Sequence, residues 1–146
     1  MKKLLIIFIS AVILFLVVQV IPVHKNESPI PADKSFATQF NVPNNVNRIL
    51  ERSCYDCHSN QTKYPWYGNI QPIALLLENH ISEGKMKLNF DKFQDYGKRR
   101  MRTKYTEIVK QIEQDKMPLT SYLWLHPEAQ LSEAEKKLLI QYFQIQ

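Results

Sequence analysis

The apolar positions of this chain follow two regimes. From Leu4 to Val23 the sequence reads LLIIFISAVILFLVVQVIPV, with no charge and only Ser10 and Gln19 as polar side chains. About twenty residues at ~1.5 Å rise give ~30 Å of helix, enough to cross the hydrocarbon core of a bilayer. No small-residue cleavage site follows, so the pattern predicts an uncleaved transmembrane anchor over 1–23 rather than a removable signal peptide. Lys2 and Lys3 precede the run and place the N-terminus in the cytoplasm by the positive-inside rule. That orientation leaves a single-pass protein at the cell membrane, with the rest of the chain on the extracytoplasmic (periplasmic) side.

Residues 24–43, HKNESPIPADKSFATQFNVP, hold three prolines and no apolar period, and read as an extended tether. From residue 44 the period becomes helical. Val46, Ile49 and Leu50 predict a first helix, ending close to Cys54. Pro72 suits the first turn of a second helix, IALLLENHISEG, which Gly84 would stop. Met101, Tyr105, Ile108, Val109 and Ile112 recur along one face of a third helix beginning near Lys98 and terminated by Lys116-Met117-Pro118. Ser132 with Glu135 is a capping box, opening a last helix that buries Leu138, Leu139, Tyr142 and Phe143. No segment has the two-residue period of a strand. Residues 44–146 thus form an all-α domain of about four helices with long loops, a thin core that would gain from a large apolar object to fold around.

Charge excludes little. The chain carries 19 Lys and Arg against 14 Asp and Glu, a formal net charge of +5. Two of those positive charges are the anchor lysines, and the remaining excess is too small to argue for nucleic acid as a partner.

The chemistry concentrates in SCYDCHSNQTKYPWY, residues 53–67, which contains both cysteines of the chain. A thioredoxin-type Cys-x-x-Cys follows a strand in a βαβ unit, and no strand is predicted here. A structural zinc site needs four ligands, commonly from two clusters. After Cys54, Cys57 and His58, only His80 or His126 could add to them. A disulfide across two intervening residues gains little from loop closure. Cys-x-x-Cys-His is the attachment pattern of c-type haem: two thiols add across the haem vinyl groups, and the adjacent His58 turns Nε2 onto the iron. The use of both cysteines, the predicted export and the all-helical surroundings agree with this option best.

Four stretches extend the pattern into a resemblance. SCYDCHSN, KYPWYGNI, GKMKLNF and DKMPLTSYLWLHPEAQLSEAE resemble the small haem-binding-domain proteins related to class I c-type cytochromes, over roughly residues 42–145. The resemblance implies a cytochrome c-like fold, with the first and last helices of the domain crossing beside one covalently attached haem c. It also implies a distal ligand from a loop before the last helix, which is where Met117 stands; Met opposite His raises the reduction potential. His80, on the apolar side of its helix, and His126 in LWLHPEA are the alternatives. Met101 reads as core and Met86 as exposed. By the same likeness a loop carbonyl, at Pro65, is expected to orient His58 through its other ring N–H.

Tyr55, Tyr64, Trp66, Tyr67 and Trp124 are candidates to wall the haem. Lys98, Arg99, Arg100, Arg102 and Lys104 read first as a solvated helix face and second as a docking patch for an acidic redox partner or as partners for the haem propionates. No nucleophile–base constellation suggests an enzyme. The expected protein is a membrane-anchored monohaem cytochrome that passes single electrons to redox partner proteins at the membrane. A haem-based sensor or binding module with an open or weak sixth site is the alternative, and a metal-binding protein using the same thiols a more distant one.

Overall fold

The computed structural model describes residues 1–28 and 31–146. Pro29 and Ile30, part of the expected tether, lie outside the described residues. Among the described residues there are eight α-helices and no strand; the pairing of Glu27 with Gln61 is an isolated bridge. The helices are α1 (Lys2–Val18), α2 (Phe36–Gln39), α3 (Asn44–Ser53), α4 (Tyr55–His58), α5 (Ile73–Lys87), α6 (Lys98–Glu113), α7 (Thr120–Leu123) and α8 (Glu133–Gln144). The all-α expectation holds, with eight helices where the N-terminal one and about four more were expected. The three additional ones, α2, α4 and α7, are four-residue turns.

The expected membrane span is corrected. At 17 residues α1 is about 25 Å long by its rise per residue, short of a bilayer's hydrocarbon core. No helix among the described residues is long and apolar enough to cross a membrane. The single-pass anchor over 1–23 and the placement at the cell membrane fall with it. The cause is local. Gln19 leaves the helix and hydrogen-bonds through Nε2 to the carbonyls of Phe15 and Gln71, at 3.1 Å each, while its Oε1 accepts from the Gln71 backbone N–H at 3.0 Å. Gln71 Nε2 returns a bond to the Ile21 carbonyl at 3.1 Å. A side chain counted as one polar interruption in an apolar run thus turns the chain and docks it on the loop before α5.

The segment expected as a tether is packed where it is described. Ser35 caps α2, and the Phe36 ring lies 4.7–5.2 Å, centre to centre, from the rings of Phe40, Phe90 and Phe93. Phe36 and Val42 are buried members of the main core. Residues 26–28 lie against the loop after α4, through Ser28 N–H to the Asn60 carbonyl and Thr62 N–H to the Asn26 carbonyl. Prolines set the local conformation here, while aromatic burial, of order 1.5–3 kcal/mol per ring, decides where the segment goes.

The core joins three faces. Val46, Ile49 and Leu50 of α3 meet Tyr105, Val109 and Ile112 of α6 and Leu139, Tyr142 and Phe143 of α8. Met101, Ile108 and Leu138, also expected on these faces, pack partly buried at the edges. The Ser132–Glu135 capping box forms as predicted, and Arg52 Nη2 reaches Glu135 Oε1 at 2.8 Å, tying the end of α3 to the start of α8. Gly84 does not stop α5, which continues to Lys87.

Candidate functional site

Cys54 stands at the break between α3 and α4, with its N–H bonded to the Leu50 carbonyl at 2.8 Å. The Cys54 carbonyl in turn accepts from the N–H groups of Cys57 at 3.2 Å and His58 at 3.0 Å. One helical turn therefore carries Cys57 and His58 as a unit. Both cysteines are free thiols. Burial pushes the Cys54 thiol up to about 12 and the Cys57 thiol to about 11, the opposite of the lowered thiol that a disulfide-exchange centre requires. Among the described residues no group of three or more His, Cys, Asp or Glu side chains could hold a metal ion, so a zinc site finds no ligand set here.

His58 is held from behind. Its Nδ1 lies 3.0 Å from the Gly84 carbonyl and 3.1 Å from the Leu88 carbonyl. Carbonyls only accept, so Nδ1 carries the proton and shares it between the two. The lone pair is left on Nε2, the tautomer of a metal ligand with its second ring nitrogen anchored. Burial lowers the imidazole's pKa and keeps it neutral, against the opposing pull of these two carbonyls. The acceptor expected at Pro65 is thus replaced by the last turn of α5. Gly84 is what lets α5 come so close: a Cβ there would lie 2.7 Å from the Cys57 carbonyl oxygen.

Two adjoining chambers open beside this turn. The larger, about 510 Å³, is within the roughly 300–1,000 Å³ of cofactor sites. Leu50, Leu88, Phe90, Ile112, Leu139 and Phe143 give it apolar walls. The smaller, about 180 Å³, is bordered by Ser53, Cys57, His80, Pro118 and Tyr122. Cys54, His58, Lys87 and Met117 line both. A larger and more open groove, about 880 Å³ along Lys25, Glu78, Lys85 and Arg100, contains neither cysteine nor His58.

The candidate ligands separate on this geometry. Met117 borders both chambers, whereas His80 borders only the smaller. His126 lines neither, and its ring is engaged elsewhere: Nδ1 lies 3.2 Å from Glu128 Oε1 and Nε2 2.6 Å from the Tyr67 hydroxyl. Met86 is exposed and Met101 packs against the core.

None of the five aromatic residues expected as walls lines either chamber. Trp66 and Trp124 are 77 % and 78 % exposed. Tyr55 packs edge-on to Phe90, Tyr64 bonds to Asn26 and Glu78, and Tyr67 holds His126. Leu50 of α3, Ile112 of α6, and Leu139 and Phe143 of α8, with Leu88 and Phe90, supply the walls instead. Of the basic run, Lys98, Arg99, Arg100 and Arg102 are exposed, with Arg100 over the Tyr96 ring. Only Lys104 turns toward the larger chamber, where Lys87, Lys110 and Lys116 join it at the rim.

Three features of the site were not read from the sequence: the Gly84 and Leu88 carbonyls on His58, the rim lysines Lys87, Lys110 and Lys116, and Tyr122 Oη donating to Asp56 Oδ2 at 2.8 Å. A lone glycine inside a helical pattern is a signal of close backbone approach that could have pointed to the first. The other two join residues far apart in sequence and leave no local trace.

The apolar chamber, the pre-oriented imidazole, the two thiols and the facing thioether together fit a haem. Comparison with curated proteins and with solved structures finds no match. The family described as a haem-binding domain matches residues 13–145, and the chain belongs to that family.

Proposed function

We propose that this haem-binding protein is a monohaem c-type cytochrome, related to class I cytochromes, that carries single electrons rather than catalysing a reaction. Cys54 and Cys57 would hold the haem as thioethers, His58 Nε2 would ligate the iron, and Met117 would take the opposite position. A bound haem supplies an iron that exchanges one electron, with a potential raised by Met–His ligation. The chain's own residues orient the imidazole, exclude water with apolar walls, and place the Lys87, Lys110 and Lys116 ammonium groups at the rim, suited to the haem propionates, beside a Lys104 that is paired with Glu107. The observation that carries this reading is His58, whose Nδ1 is fixed by the Gly84 and Leu88 carbonyls while the ring borders a chamber shared with Met117.

The test uses the full chain purified from a host that attaches haem. Haem is expected to stay on the polypeptide through denaturation and acid extraction, and to be lost from it in a Cys54→Ala/Cys57→Ala variant. The reduced spectrum is expected to be low-spin, becoming high-spin in Met117→Ala. Release of haem on extraction would sink covalent attachment. A high-spin parent protein would favour a second reading, a sensor with a weak sixth position. That reading draws on the absence of any buried residue from Met117 to Glu128.

A further inference from the structure

The segment carrying Met117 has little to hold it. None of residues 117–128 is buried; the core resumes only at Ala129 and Leu131. Its backbone hydrogen bonds are local, as from Tyr122 N–H and Leu123 N–H to the Leu119 carbonyl. A surface segment without buried apolar contacts opens at low cost unless something else pins it.

Among the described residues, two side-chain hydrogen bonds tie it to the rest of the molecule. Tyr122 Oη donates to Asp56 Oδ2 at 2.8 Å. The Tyr67 hydroxyl lies 2.6 Å from His126 Nε2; with Nδ1–H donating to the Glu128 carboxylate, the neutral ring leaves Nε2 to accept from Tyr67. The Tyr122 and His126 rings stack with centres 4.3 Å apart and planes 15° from parallel, so the two attachments support each other. Asp56 is itself fixed: its Oδ1 accepts from Lys63 N–H at 3.1 Å and its carbonyl from Thr62 Oγ1 at 2.6 Å. It also lies between the two cysteines, in the same turn as His58.

We propose that Tyr122 and His126, stacked on each other and bonded to Asp56 and Tyr67, form a clasp that sets how firmly Met117 is held over the chamber. These are positioning residues, and the inference rests on the reading of Met117 as an iron ligand. The clasp joins the segment that follows Met117 to the turn bearing the thiols and His58. Loosening it frees the sixth position for an external ligand.

The test is imidazole binding to the oxidised, haem-bearing full chain, beside amide hydrogen exchange over residues 117–128. Loss of one hydrogen bond to a carboxylate is expected to tighten apparent imidazole affinity about tenfold in Tyr122→Phe, to weaken the thioether-to-iron charge-transfer band, and to speed exchange across the segment. Asp56→Asn keeps one acceptor oxygen where Asp56 uses two, and Asp56→Ala keeps none, so both are expected to move in the direction of Tyr122→Phe, with Asp56→Ala moving further. Parent-like affinity and exchange in Tyr122→Phe would overturn the clasp. A Met117→Ala variant with an unchanged oxidised spectrum would instead overturn the ligation beneath it, while exchange in Tyr122→Phe would still report on the attachment itself.

Discussion

The Cys57 carbonyl oxygen lies where a side chain at position 84 would begin. In an open helix, Gly→Ala is worth up to about 1 kcal/mol of added stability. At Gly84 the new Cβ meets a backbone atom at 2.7 Å, and neither partner is a flexible side-chain tip that can swing aside. Overpacking of this kind costs about 1–3 kcal/mol, so Gly84→Ala is expected to lower stability by up to about 2 kcal/mol, the net of the two. It should also disturb the carbonyl that holds His58. Urea unfolding of the haem-bearing chain measures the first effect, and a midpoint raised by the substitution would contradict the contact. The motif Cys-x-x-Cys-His was legible because its function depends on adjacent residues. The support behind His58 was not, since it comes from residues 26 and 30 positions away.

At the scale of elements, α8 shows how a local signal acquires a tertiary duty. The capping box was readable from Ser132 and Glu135, but Glu135 also accepts from Arg52 of α3. Hydrogen bonds from the Ser132 backbone and side chain, followed by the Arg52 guanidinium, hold the Glu135 carboxyl below its usual range. A carboxyl lowered on folding adds stability above its unfolded pKa, and that stability is lost as pH falls through the folded value. Glu135→Gln keeps an acceptor for the box and loses the charge. The pair is partly exposed, so the variant is expected to be about 0.5 kcal/mol less stable at neutral pH. Well below about pH 4 the two proteins should converge, because both then carry an uncharged side chain. Urea midpoints compared across that range check it; a difference that persists in acid would assign the effect to the cap alone. In α5 the helical period was legible while the stop was misplaced, because Gly84 serves packing against Cys57 rather than termination.

At the scale of the molecule, α1 and the rest of the chain obey different rules. No residue of α1 is buried, and its junction rests on Gln19 against Gln71. Removing residues 1–18 while keeping Gln19 is therefore expected to leave the unfolding free energy within about 0.5 kcal/mol, as for other changes that touch no core. A loss above about 1 kcal/mol would show that the helix packs on the domain. Removal of Phe36 or Val42 has no such licence, since both lie in the aromatic core. The prolines around them hid this, as local breakers say nothing about what a distant pocket will accept.

The sequence by itself determined the helical class, the faces of α3, α6 and α8, the cap at Ser132 and the thiol–thiol–imidazole turn. Each depends on residues within a few positions of one another. Only the tertiary structure decided that α1 stops at Val18, that residues 36–42 join the core, which carbonyls orient His58, and that Met117 rather than His126 reaches the chambers. Those outcomes depend on burial and hydrogen bonding between distant segments, such as the 52 positions between Gln19 and Gln71 and the 59 between Tyr67 and His126, where periodicity carries no information.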